Sequence, residues 1–111
     1  MGNIKTIRKL NDIEQAVLIS VLALEADAYG VAVKAEVDRR TARKLSTETV
    51  YAVLSRAEDH DLVESRLGEP TPERGGRRKR FYMITDQGRR ALSEAHQSTA
   101  NLWNGFIPVT S

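Results

Sequence analysis

The amino-acid sequence predicts a mainly α protein with one small β-hairpin (α+β). Three observations carry that expectation. Apolar residues recur at helical spacing in four stretches. Between the third and fourth stretch the pattern switches to period two around a loop rich in Gly and Pro. Residue types that cap helices (Asn11, Ser46 or Thr47, and Thr85) stand where the helical stretches begin.

The first helix is expected over residues 12–26. Asn11 serves as N-cap, and Glu14 three residues on completes a capping box. Its apolar residues are Ile13, Ala16, Val17, Leu18, Ile19, Val21, Leu22, Ala23 and Leu24. The second half is apolar nearly all round, so it must be buried on more than one side, in a core or between subunits. Asp27-Ala28-Tyr29-Gly30 reads as a break, and a second helix follows over 31–40 with Val33 and Val37 as its core pair. Arg39, Arg40, Arg43 and Lys44 then make a basic turn.

Ser46 or Thr47 caps a third helix over 47–60. Val50, Val53, Leu54 and Ala57 form its stripe at i, i+3, i+4, i+7; Glu48, Ala52, Ser55 and Asp59 face away, with Thr49 and Tyr51 at the flanks. A strand over 62–67, a loop over 68–76 and a return strand over 77–84 make the hairpin, with Phe81 and Tyr82 as β-favouring aromatics. The fourth helix, 86–105, is capped by Thr85 and has Asp86 at its positive end, while Gly88 should weaken its first turn slightly. Leu92, Ala95, Thr99, Leu102 and Phe106 repeat at 3, 4, 3, 4 spacing, a seam suited to a subunit contact. The alternative for that seam is packing on its own domain. The organisation expected is a basic arm (1–10), a winged-helix domain (11–84), a dimerisation helix (85–106) and a tail (107–111).

Composition excludes several function classes. A chain of 111 residues fits one small domain and leaves little room for a separate catalytic one. The absence of Cys removes disulfides, a thiol nucleophile and a thiolate zinc site, and points to the cytoplasm. The longest apolar stretch, 16–24, is interrupted by Ser20 and is too short to span a bilayer. His60 and His96 stand far apart without a second ligand at i+3 or i+4, and no Gly-rich phosphate cradle precedes a helix. No cofactor, no metal and no enzyme activity are expected.

Net charge is only +2, but its distribution is uneven. Arg74, Arg77, Arg78, Lys79, Arg80, Arg89 and Arg90 cluster with one acid, Asp86, whereas residues 58–73 are acidic. Charge alone fits a solvated loop as well as a polyanion contact. Placement on a hairpin after three helices favours the polyanion, because that order is the winged helix-turn-helix arrangement. One helix reads base edges in the major groove, and the wing reaches the neighbouring backbone. The candidates on the helix side are Lys44, Ser46, Thr47, Thr49 and Tyr51. On the wing they are Arg74, Gly75, Gly76, Arg77, Arg78 and Lys79. Strand alternation puts Arg77 with Lys79 on one face and Arg78 with Arg80 on the other, so one face alone can meet DNA squarely.

Residues 46–63 (Ser-Thr-Glu-Thr-Val-Tyr-Ala-Val-Leu-Ser-Arg-Ala-Glu-Asp-His-Asp-Leu-Val) and 75–88 (Gly-Gly-Arg-Arg-Lys-Arg-Phe-Tyr-Met-Ile-Thr-Asp-Gln-Gly) resemble the PadR family of transcriptional regulators, over about residues 11–92 in all. Tyr29-Gly30 matches the family's entry to its second helix, which adds Tyr29 to the DNA-binding candidates. The chain departs from the family at Val50 and Ala57, where Leu is usual, and at Asp61, where Gly is usual. The resemblance implies a short-subgroup homodimer, built through the first and last helices, that represses from a pseudo-palindromic operator on double-stranded DNA. Some members respond to aromatic effectors. Leu18, Leu22, Leu102, Trp103 and Phe106 are the residues placed at such an interface or ligand site, with simple interface packing as the alternative for Trp103 and Phe106. The alternative function is a nonspecific nucleic-acid or protein-interaction module.

Overall fold

The computed structural model describes residues 9–70 and 78–106. Helix α1 (Asp12–Leu24) opens on a capping box: the Asn11 side chain accepts from the Glu14 amide at 2.8 Å, and the Asn11 amide donates to Glu14 Oε1 at 2.9 Å. The helix ends with its apolar run, two residues before the expected bound at 26. Glu25 stands at φ +54°, and Glu25–Asp27 form a 3-10 turn. Helix α2 (Gly30–Thr41) buries Val33 and Val37 and stops at Ala42, which is left-handed at φ +56°.

Helix α3 (Thr47–Asp59) is capped by Ser46, whose hydroxyl accepts from the Thr49 amide at 3.0 Å. Val50, Leu54 and Ala57 are buried, so the smaller residues at 50 and 57 keep their core positions. Its exit is a Schellman motif. The Leu62 amide donates to the Ala57 carbonyl at 2.8 Å and the Asp61 amide to that of Glu58 at 3.0 Å. The motif requires a left-handed residue at 61, and Asp61 has φ +62°. That is the physical reason glycine suits this position, and Asp tolerates it better than most residues.

Strands β1 (Val63–Pro70) and β2 (Arg78–Ile84) pair antiparallel from Val63↔Ile84 to Leu67↔Arg80, with a bulge before Pro70↔Arg78. A third, single-residue rung joins them: Tyr29 bridges Phe81, and the Tyr82 amide donates to the Ala28 carbonyl at 2.8 Å. Helix α4 (Asp86–Leu102) is tied to the end of α3. Thr85 Oγ1 accepts from the Gly88 amide and donates to the Asp61 carbonyl. Gly88 does more than the sequence suggests, because a Cβ there would lie 2.2 Å from the Leu62 carbonyl oxygen.

The core draws on every element: Val17, Leu18 and Val21 of α1, Val33 and Val37 of α2, Val50 and Leu54 of α3, Val63, Tyr82, Ile84 and, from α4, Ala91. Leu18 therefore corrects the expectation that it belongs to a subunit or effector surface. It is 1% exposed and packs inside its own domain. Phe106 also leaves the predicted seam, since the helix stops at Leu102. Residues 1–8, 71–77 and 107–111 lie outside the described residues, and with them most of the arm, the tail, and the wing candidates Arg74, Gly75, Gly76 and Arg77.

Candidate nucleic-acid interface

The outward face of α3 presents Thr47, Glu48, Tyr51, Ala52 and Ser55, all exposed. The turn before it is held from α2. Asp38 accepts from Lys34 Nζ at 2.6 Å and from the Leu45 amide at 3.2 Å, which fixes where α3 begins. The Lys34 hydrogen bond holds the Asp38 carboxyl below its ordinary range. Lys44 projects beside this turn and is exposed. Ser46 and Thr49 are partly engaged with one another, their hydroxyls 2.8 Å apart, so their first role is capping.

Tyr51 is placed by a glycine. A Cβ at Gly30 would fall 2.1 Å from the Tyr51 hydroxyl, so the bare α2 entry is what lets the phenol lie against it. Tyr29, next in sequence, is half-buried beside β2. The sequence places these two tyrosines in separate motifs, and the fold brings them to the same end of α2.

The hairpin has two unlike faces. Toward α3, Arg80 Nη1 donates to Ser65 Oγ at 2.9 Å and Ser65 Oγ donates to Glu58 Oε2 at 2.7 Å. Tyr82 lies on that face, and burial pushes its phenol above the usual range. Arg80 is thus engaged within the protein. On the opposite face, Lys79 Nζ sits 4.2 Å from the Tyr29 ring centroid and Arg66 lies over Phe81. Arg78 and Lys79 are both exposed. Arg66 and Phe81 were missed as functional positions because only the strand register reveals which cations and rings meet, and Gly30 because only the packing of α2 on α3 brings Tyr51 against it. The α2 cations contrast with Lys79. Arg39 and Arg40 both bind Glu36, whose carboxyl the Arg39 hydrogen bond, reinforced by Arg40, holds below its ordinary value.

On the far side, Ile19 and Leu22 of α1 and Leu102, Trp103 and Phe106 are exposed. A groove between α1 and α4 is lined by Ile19, Leu22, Leu92, His96 and Thr99. It adjoins a cleft of about 430 Å³ between the end of α1 and the hairpin, lined by Leu22, Phe81, Met83 and Arg89 among others. Among the described residues no group of acids and histidines could hold a metal ion, and no helix is long and apolar enough to cross a membrane.

A recognition-type helix, a supporting helix pair and a cationic hairpin define a winged-helix DNA-binding transcriptional regulator. The chain belongs to the transcriptional regulator PadR-like family, which matches it over residues 18–94. That family consists of regulators, not enzymes. An uncharacterized protein of Lysinibacillus sphaericus is 37% identical over 79 residues, 69% of this chain and 70% of that one. A PadR family transcription regulator of Clostridium difficile superimposes with a TM-score of 0.65 at 24% identity, covering 88% of this chain and 100% of that one. A PadR-like transcriptional regulator of Bacillus cereus gives 0.64 at 23%, covering 88% and 93%. A padr family regulator of Eggerthella lenta gives 0.62 at 26%, covering 80% and 75%.

Proposed function

We propose that this regulator acts in the cytoplasm as a homodimeric repressor on a pseudo-palindromic operator. The observation that carries the reading is the common exposure of the α3 face (Thr47, Tyr51, Ser55) and of wing cations that no carboxylate neutralises among the described residues. Helix α3 supplies the base contacts, and the wing supplies phosphate contacts through one hairpin face, that of Lys79 and, by strand alternation, Arg77. Dimerisation is supported by Ile19 and Leu22 facing a groove beside α4, and by the apolar end of α4. An aromatic effector at the dimer centre is supported by the exposure of Trp103 and Phe106 at and beyond the end of α4.

In vitro selection of bound DNA tests the reading. Palindromic half-sites about one helical turn apart, roughly 34–36 Å, are the expected outcome. Sequence-indifferent binding that vanishes at moderate salt would instead identify a nonspecific nucleic-acid module. Titrating Trp103 fluorescence with aromatic compounds, with and without operator, tests the effector.

A further inference from the structure

On the outer face of the hairpin, cations and rings alternate. The Arg66 guanidinium carbon lies 5.2 Å from the Phe81 ring centroid. Phe81 meets Tyr29 edge to face, 5.6 Å between centroids at 66°. Lys79 Nζ lies 4.2 Å from the Tyr29 centroid. The register builds the series: Arg66 is the cross-strand partner of Phe81, Tyr29 bridges Phe81, and Lys79 precedes Phe81 by two residues on the same face. Gly68 makes room for it, since a Cβ there would come within 2.7 Å of the Phe81 ring.

A free lysine ammonium is a mobile point charge, and ordering it has an entropic cost. On α2, cations are ordered by carboxylates: Lys34 by Asp38, Arg39 and Arg40 by Glu36. Asp38 fixes the Lys34 charge and cancels it, and Glu36 offsets one of the two charges it holds. An aromatic face attracts a cation through its quadrupole and leaves the net charge intact. Lys79 is therefore held without being neutralised, which is the state a phosphate contact needs.

We propose that Tyr29 is a positioning residue for DNA binding: its ring, braced by Phe81, holds the Lys79 ammonium in fixed register with the recognition helix. Tyr29 acts through Lys79 and not through its own hydroxyl. The inference rests on the DNA-binding reading above.

The test measures the affinity of the full chain for its selected operator across a salt series in Tyr29→Phe, Tyr29→Leu, Lys79→Gln and the Tyr29→Leu/Lys79→Gln pair. Tyr29→Phe keeps the ring and should stay within about twofold of wild type. Tyr29→Leu should lose roughly two- to fivefold. Lys79→Gln should lose more and reduce the salt slope by about 0.9. The double variant should bind no worse than Lys79→Gln alone. In the free protein, the Lys79 ε-methylene protons should show an upfield ring-current shift that Tyr29→Phe preserves and Tyr29→Leu abolishes. Equal damage from Phe and Leu would assign the contact to the hydroxyl and overturn the proposal. So would independent, multiplicative losses in the double variant, or a wild type without the ring-current shift. If wild type selects no sequence while the ring-current shift is present, the regulator reading fails and the cation clamp stands.

Discussion

Helices α3 and α4 open on the same device, a hydroxyl N-cap, and both carry an apolar stripe at 3-4 spacing, yet only one stripe is covered. In α3, Val50 and Leu54 are fully buried and Ala57 nearly so. In α4, Ala91 is buried and Leu92 and Ala95 are packed against the core, but Leu102 is 77% exposed and Phe106 beyond it 76%. One stripe serves a single core. The other begins in that core and runs past it, which leaves an apolar end that the described domain does not cover. The outward side of α1, with Ile19 40% exposed, shows the same imbalance.

The comparison breaks most sharply at matched leucines. Leu54→Ala should cost about 3 kcal/mol of folding stability, because it opens a void among fully buried neighbours. Leu102→Ala should change the unfolding free energy of dilute protein by less than about 0.5 kcal/mol. Its effect should appear in the concentration dependence of Tm, which a subunit contact creates and this variant weakens. Denaturant unfolding at several protein concentrations separates the two. A Leu102→Ala variant as unstable as Leu54→Ala at every concentration would show that the end of α4 belongs to the domain core after all.

Much of this was legible in the sequence. Capping residues and 3-4 spacing located all four helices, and the Gly- and Pro-rich interval between period-two runs located the hairpin. Leu18 was misplaced because an all-apolar helix carries no phase. Nothing in 16–24 says which residues point inward until α2 and β2 pack against it. The Lys79–Tyr29 contact was hidden for a related reason: sequence gives the alternation of a strand but not the residue that bridges it from 52 positions upstream in the case of Phe81 and Tyr29. Asp61 was readable as an oddity, and the Schellman bonds around it supply the reason.

Two glycines sharpen the contrast, one serving each helix. Gly88 is pressed on backbone, with its would-be Cβ 2.2 Å from the Leu62 carbonyl oxygen, so Gly88→Ala should cost about 2–3 kcal/mol by forcing α4 off the end of α3. Gly30 is pressed on a side chain, the Tyr51 ring, which can swing away. Gly30→Ala should leave Tm nearly unchanged while weakening operator binding roughly tenfold, about 1.4 kcal/mol. Thermal melting and a binding isotherm on the same two variants distinguish a glycine that holds the fold from one that aims a side chain. Both losing stability equally would remove the special role given to Tyr51.

The smallest effect concerns the helix ends. Ala42 closes α2 at φ +56°, and Asp61 follows α3 at φ +62°. Both residues have a Cβ in a left-handed conformation, but Asp suits that region better than Ala does. Ala42→Gly should therefore raise stability by about 0.5–1 kcal/mol, the relieved strain less the extra freedom glycine gives the unfolded chain. Asp61→Gly should gain less by the same measure, because less strain is there to relieve. Equilibrium unfolding of the two variants orders the gains. A larger gain at Asp61 would mean that the joint it makes with Thr85, whose hydroxyl donates to the Asp61 carbonyl at 2.6 Å, holds residue 61 under more strain than its dihedral alone implies.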